Sequence, residues 1–397
     1  MSYQGNRCQI CTGCGKCAPA GALEERMRVI TSSFCLPEKE NVVREGRELA
    51  VADLGTTTIA VEWYDGSGEK RGEYVCSNPQ RVFGADVISR IQAAENPMSR
   101  QQMRQSVRRV LAEGIEGFRQ QGGNPEQLIV AGNTTMQYLL SGHDPVSLGT
   151  APFAAEYLSS EKLEIGGLET VTMPGLSAFV GGDITAGILA CGMDRGKEIT
   201  LLVDLGTNGE MVLGNREKML CCGTAAGPAF EGGGDIWGAD MIALTARLME
   251  LGLVDDTGLL AEPYFEQGIS IGGLRITQER IRQMQTAKAA ICGGINALIA
   301  AYGLQDPGQV ERVYLAGGFG YFLDVGAAVS LGLIPRKLEG RVKAVGNTAL
   351  AGAWLFGSSF QVQERAERLC QISQILNLAE CRYFESDFVD AMYLRRI

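Results

Sequence analysis

Asp53-Leu54-Gly55-Thr56-Thr57-Thr58 and Asp204-Leu205-Gly206-Thr207-Asn208-Gly209 carry one tetrapeptide, Asp-Leu-Gly-Thr, at two places in a single chain. Each copy ends an apolar run, Leu49-Ala50-Val51-Ala52 before the first and Leu201-Leu202-Val203 before the second. Each is followed by a further strand-like run, Ile59-Ala60-Val61 and Met211-Val212-Leu213. The repeated unit is strand, tight glycine-containing turn, strand. Such a turn presents backbone N–H groups beside small hydroxyls, which suits phosphate oxygens. A carboxylate closing the first strand suits a hydrated Mg²⁺ ion. One copy would fit an ordinary hairpin equally well. Two copies facing each other would clamp a nucleotide polyphosphate from both sides.

The remaining composition narrows the class. A chain of 397 residues is long enough for two or three packed units, and 45% hydrophobic with 21% charged residues describes a globular protein. A net charge of −10 argues against nucleic acid or an anionic membrane as a main partner. No signal-peptide core opens the chain and no segment approaches 18 uninterrupted apolar residues, so a cytoplasmic location is expected.

Five of the twelve cysteines fall within the first 35 residues. In a reducing compartment such a cluster reads as a metal site before a disulfide framework. The single histidine, His143 in Gly142-His143-Asp144-Pro145, reads as a loop residue and leaves thiolate ligation as the option. Cys8, Cys11, Cys14 and Cys17 follow one another at three-residue steps on a glycine-containing loop, a spacing that can wrap several corners of one iron–sulfur cube. The stretch Cys11 to Cys17 resembles the cluster loop of bacterial ferredoxins, in which a remote fourth ligand lies beside a proline. Cys35 in Phe34-Cys35-Leu36-Pro37 fits that place. Two registers stay open: Cys11, Cys14, Cys17 and Cys35, or Cys8, Cys11, Cys14 and Cys17. A Cys₄ zinc knuckle is the competing reading, but overlapping Cys-x-x-Cys pairs crowd a tetrahedral zinc. One [4Fe-4S] cluster is expected. Cys76, Cys191, Cys292 and Cys370 read as packing residues, and so does the odder pair Cys221-Cys222.

Glu38 to Glu48 holds seven charged residues in eleven and reads as a linker. The expected organisation is a cysteine module over 1–37, a linker over 38–48, and α/β units over 49–195 and 196–397. Apolar residues at three- and four-residue steps, Met103, Val107, Val110, Leu111, Ile115 and Phe118, predict a helix over Ser99 to Gln121, capped by Ser99 and ended by Gly122. Leu128 to Ala131 predicts a strand opening into Gly132-Asn133-Thr134-Thr135. Another helix is predicted over Gln278 to Tyr302, and a strand at Val313 to Ala316 ends in Gly317-Gly318-Phe319-Gly320. The repeat marks an internal duplication, with the ligand cleft expected between the halves.

Taken in order, five segments resemble the motifs of the actin, sugar kinase and heat-shock chaperone ATPases. Asp53 to Thr58 looks like their first phosphate loop. Gly181-Gly182-Asp183-Ile184-Thr185-Ala186 looks like their first connecting helix, and Asp204 to Gly209 like the second phosphate loop. Ala316 to Gly320 looks like the adenosine loop, and Val345-Gly346-Asn347-Thr348-Ala349 like the second connecting helix. A narrower resemblance, to the reductive activators of corrinoid proteins, rests on Asn78-Pro79-Gln80, on Gly84 to Ile91, and on Gly132 to Met136. It also rests on Ala226-Gly227-Pro228-Ala229-Phe230-Glu231-Gly232-Gly233 and on Phe384 to Met392. It covers roughly residues 49 to 397. Better-known members carry a plant-type two-iron domain in front or ferredoxin-type clusters behind, where this chain has a short four-iron-like module.

The resemblance implies an α/β fold of duplicated actin-like (ribonuclease H-like) ATPase subdomains behind the iron–sulfur module. It implies ATP-driven, one-electron reduction of a corrinoid protein, with [4Fe-4S], ATP and Mg²⁺ as cofactors. An upstream ferredoxin- or flavodoxin-type donor and a homodimer are implied as well. Asp53 and Asp204 would hold Mg²⁺ through water, Asp204 would orient the attacking water, and Asp183 would complete the polar set. Gly55, Thr56, Thr57, Thr58, Gly206, Thr207, Asn208 and Gly209 would cradle phosphates. Gly227 and Glu231 belong to the cofactor set, and Gly317, Gly318 and Phe319 would approach the nucleoside. Asp183 also fits a helix N-terminal carboxylate, and Asn133 a helix cap. Three competing functions are a small-molecule kinase, a metal-containing nucleotide sensor, and an activator of another iron–sulfur enzyme.

Overall fold

The computed structural model describes residues 46–206, 208–224, 227, 238–271 and 274–396. The expected cysteine ligands Cys8, Cys11, Cys14, Cys17 and Cys35 lie outside the described residues, as do Thr207 and Glu231.

The first repeat unit folds into β1 (Leu49–Leu54), β2 (Thr58–Tyr64) and β3 (Lys70–Ser77), a meander to which β4 (Gln127–Gly132), β5 (Lys162–Ile165) and β6 (Leu168–Thr172) are added. The sheet order is β3-β2-β1-β4-β6-β5. The second unit repeats the plan with β7 (Thr200–Leu205), β8 (Gly209–Gly214) and β9 (Met219–Thr224). After a small ribbon, β10 (Ile269–Ile271) and β11 (Leu274–Ile276), come β12 (Arg312–Ala316), β13 (Val342–Gly346) and β14 (Ser373–Ile375). Here the order is β13-β12-β7-β8-β9-β14. The duplication is therefore one of pairing. β1 runs antiparallel to β2 and parallel to β4, and β7 runs antiparallel to β8 and parallel to β12.

Both central strands are apolar on two faces because each sheet is covered on both sides. The helix Pro97–Gln120 lays Met103, Val107, Leu111, Ile115 and Phe118 against Ile59, Val61 and Leu128 on the outer face of the first sheet. Its start lies two residues before the predicted one. Asn96, not Ser99, is the cap, accepting from the Met98 and Ser99 amides, and Pro97 occupies the first turn, where its missing N–H costs nothing. The helix Gln278–Tyr302 covers the outer face of the second sheet.

Between the sheets lie the helices Gly182–Ala190 and Thr348–Ser358, whose residues are nearly all buried. Ile184, Ile188, Leu350 and Ala353 share one core with Val51 and Ile129 of the first sheet and Leu202 and Val212 of the second. The two helices cross in close contact. A Cβ at Gly352 would lie 2.0 Å from the Ala186 carbonyl oxygen. Gly352→Ala must push the helices apart, and overpacking of this kind costs about 1–3 kcal/mol or more. The expected result is a clear drop in the urea midpoint. Gly340→Ala, where a Cβ meets nothing within 4 Å, should leave the midpoint unchanged.

Candidate functional site

The carboxyl end of β1 and the carboxyl end of β7 deliver Asp53 and Asp204 to opposite sides of one cleft of about 240 Å³. The first half contributes Gly55, Thr56, Thr57, Thr58, Ala60, Asn133 and Asp183 to its walls. The second contributes Gly206, Asn208, Glu210, Gly317, Gly318, Asn347 and Thr348. Most of the residues expected from the two turns thus meet around one volume.

Other expected residues lie elsewhere. Phe319 is buried in the core of the second half. Gly209 is a packing position: a Cβ there would lie 2.1 Å from Ile291 Cδ1. Gly227 has φ of 72° but stands among residues outside the description. Asn133 does two things. Its Oδ1 accepts from the Met136 amide at 3.0 Å as a helix cap, and its Nδ2 donates to Thr56 Oγ1 at 3.0 Å. His143 stacks on Tyr157 at 3.7 Å, with its Nε2 2.5 Å from Glu161. Cys191, Cys221, Cys222 and Cys292 are buried.

Two residues outside the expected site set shape the cleft. Asn347 caps its helix and donates Nδ2 to Asp53 Oδ2 at 2.8 Å. Glu210, only 8% exposed, faces the cleft beside Asp204, its pairing partner across β7 and β8. Its sequence signal is a carboxylate opening an otherwise apolar strand.

Burial raises the pKa of every carboxylate here. That of Asp53 is pushed up to about 6, with the Asn347 hydrogen bond pulling the other way. That of Asp204 is pushed up to about 7 by burial and the charge of Asp53. Asp183 and Glu210 are raised by burial and by neighbouring carboxylates, Asp204 among them in both cases. No lysine or arginine among the described residues lines the cleft.

The donor set fits Mg²⁺. It is oxygen-only, without imidazole or thiolate, which suits a hard cation. Among the described residues no three His, Cys, Asp or Glu side chains stand close enough to hold an ion directly, so ligation through water is the arrangement that fits. Gly317, at φ of 79°, leaves open a place where a Cβ would lie 2.7 Å from Asp204 Oδ1. Only glycine allows the adenosine-side backbone to come so close to that carboxylate.

The first turn is held from behind. Asn78 Nδ2 donates to the Gly55 carbonyl at 2.8 Å, Arg90 Nη2 to the Thr56 carbonyl at 2.6 Å, and the Asn78 amide to the Thr57 carbonyl at 2.8 Å. Asn78 and Arg90 are buried. Three successive carbonyls are thereby fixed by partners on the far side, which frees the turn's amides for an anion.

The cleft lies between two halves built on one five-strand plan, the duplicated actin-like ATPase fold. The description "RACo middle region" matches residues 49–196, and "C-terminal domain of RACo the ASKHA domain" matches 198–245 and 235–397. The chain belongs to the RACo family. It is 30% identical to the corrinoid activation enzyme RamQ of Eubacterium limosum, over 86% of this chain and 69% of that protein. It is 23% identical to the [Co(II) methylated amine-specific corrinoid protein] reductase of Methanosarcina barkeri, over 58% of this chain and 53% of that one. Among solved structures, a reductive activator for corrinoid, iron–sulfur protein superposes with a TM-score of 0.78 at 30% identity, covering 89% of this chain and 67% of that one. No helix among the described residues is long and apolar enough to cross a membrane.

The pKa shifts set the sign of a pH effect. Asp53 and Asp204 hold protons in the folded state that the unfolded chain, at the ordinary value of 3.8, releases. The folded state binds more protons, so stability falls as pH rises from about 4 to about 7. A bound cation replaces those protons. Mg²⁺ with ADP is expected to raise the melting temperature more at pH 8 than at pH 5, and equal increments would contradict this. Arg90→Met removes a charged donor from the first turn. It should weaken Mg·ATP binding by roughly 10-fold or more, the range for a charge-assisted hydrogen bond. Adenosine binding, measured by calorimetry, should be unchanged.

Proposed function

We propose that this protein is an ATPase that drives a low-potential electron onto a corrinoid protein, reducing Co(II) to Co(I). One observation carries the reading: two phosphate-type turns of a RACo-family chain meet at one oxygen-lined cleft. On this reading the chain divides into a cluster module (1–37), a linker (38–48) and two ATPase halves (49–195 and 196–397). Cys11, Cys14 and Cys17, with Cys35 or Cys8, would hold the cluster. A [4Fe-4S] cluster, when bound, supplies the one-electron carrier. Asp53 and Asp204 would hold hydrated Mg²⁺, with Asp183 completing the set. The turn amides with Thr56, Thr57 and Asn208 would bind phosphate oxygens, and Gly317 and Gly318 would admit the nucleoside. The electron would come from a ferredoxin- or flavodoxin-type donor in the cytoplasm, and the protein would act as a homodimer.

The energies are compatible. For one electron, 59 mV is a tenfold change in equilibrium, so a gap of a few hundred mV is about 5–7 kcal/mol. A nucleotide with ~10⁴-fold preference for one conformation supplies about 5.5 kcal/mol. Closure of the cleft on ATP is then sufficient to favour a docking state in which transfer occurs.

The test is anaerobic iron–sulfur reconstitution, electron paramagnetic resonance, and then reduction of a Co(II) corrinoid protein followed optically with and without ATP. The expected outcome is a reducible cluster signal and reduction that needs ATP. Asp204→Asn should keep the cluster signal and lose the ATP dependence. A zinc-only, spectroscopically silent protein would sink the electron-transfer reading.

A further inference from the structure

The two halves repeat one another, yet their turns differ in length by one residue. Asp53 pairs with Ala60, seven places on, whereas Asp204 pairs with Glu210, six places on. Counted along the sequence from the shared tetrapeptide, Glu210 matches Ile59. Ile59 is buried in the outer core, against the helix Pro97–Gln120 side of the first sheet. A one-residue change of register moves a strand residue to the opposite face. The shorter second turn therefore takes a position that is core-facing in the first half and turns it inward. The parity is visible along the strand: Met211 and Leu213 enter the outer core of the second half, while Val212 enters the core shared between the sheets. Glu210 lies on the Val212 face, and so opens into the cleft, where the first half has only the methyl of Ala60.

A carboxylate that is 8% exposed needs a reason to stay buried. The neighbouring acids have other partners or other work. Asp53 accepts from Asn347 Nδ2, Asp183 Oδ1 accepts from the Ile184 amide at 2.9 Å, and Asp204 is assigned to the hydrated Mg²⁺ on the ATPase reading. Asn208, two residues before Glu210 on the same turn, also lines the cleft, so Glu210 adjoins the segment expected to touch phosphate.

We propose that the halves have divided the chemistry, and that Glu210, not Asp204, is the catalytic residue that positions and deprotonates the attacking water. The inference rests on the ATPase reading above. In the step, the water oxygen forms a bond to the γ-phosphorus and its proton passes to the Glu210 carboxylate. The bond from the γ-phosphorus to the bridging oxygen breaks, and the electron pair leaves with ADP. Inorganic phosphate departs and Glu210 returns its proton to solvent. The first turn, with its carbonyls fixed from behind, serves as the static holder.

The experiment compares the full-length protein with Glu210→Gln, which keeps size and hydrogen bonding but removes the base. ATP affinity is measured by calorimetry, hydrolysis by single-turnover phosphate release, and folding by the melting temperature with and without ATP. Glu210→Gln should bind ATP within about threefold of the parent and hydrolyse it on the order of 10²-fold more slowly, the usual contribution of a general base. Glu210→Asp should recover part of the rate. Hydrolysis within threefold of the parent overturns the inference, and so does loss of ATP affinity in parallel with rate, which would make Glu210 a binding residue. A parent protein that neither binds nor hydrolyses ATP would instead sink the ATPase reading itself.

Discussion

Four carboxylates, Asp53, Asp183, Asp204 and Glu210, converge on a cleft whose described walls carry no basic side chain. Burial raises the pKa of all four, and neighbouring carboxylates raise those of Asp183, Asp204 and Glu210 further, so the charged forms are held under strain. The strain is relieved by protons or by a cation. On the proposed reading, a polyphosphate alone would add negative charge to a negative site, so the cleft would favour the magnesium complex over the free nucleotide. The two sheets contribute acids from opposite sides, so a cation among them would be shared by both halves.

Much of this is legible in the sequence. The repeated Asp-Leu-Gly-Thr, the apolar runs around it and the glycine-rich ends of later strands place two α/β halves around a cleft, and the pairing of β1–β4 and of β7, β8 and β12 follows that reading. Asp53, Asp183 and Asp204 can be picked out because each sits at the end of a strand or the start of a helix. Glu210 offers only a carboxylate opening an apolar strand, which does not say which face it takes. Its place depends on a turn shorter by one residue, and a pairing register is a property of two strands rather than of either sequence. Asn347 is hidden for a related reason. It belongs to a visible motif, but its hydrogen bond to Asp53 spans 294 positions of the chain. Phe319 and Gly209 stand in motifs that read as ligand-binding, and the structure places both against core packing.

Two of the motifs that narrow the family resemblance lie behind the first turn. Asn78 and Arg90 never line the cleft, yet together they hold the carbonyls of Gly55, Thr56 and Thr57. A peptide unit has one donor and one acceptor, and an acceptor tied on one side leaves its donor free for the other. On the proposed reading this arrangement would pre-form an anion-binding turn before any ligand arrives, which would lower the ordering cost of binding. It also explains why short segments far from the phosphate loop in sequence can mark a group of ATPases: they are the loop's supports.

The second turn stands opposite a rigid first one, and the two connecting helices cross between them with Gly352 against the backbone of Ala186. At that contact backbone lies against backbone, since a Cβ at Gly352 would lie 2.0 Å from the Ala186 carbonyl oxygen. Both helices begin at the cleft, one near Asp183 and the other capped by Asn347, which holds Asp53. The acids of the cleft and the starts of both helices therefore form one connected unit, and a change in charge at the cleft bears on the same two helices that share a core with both sheets.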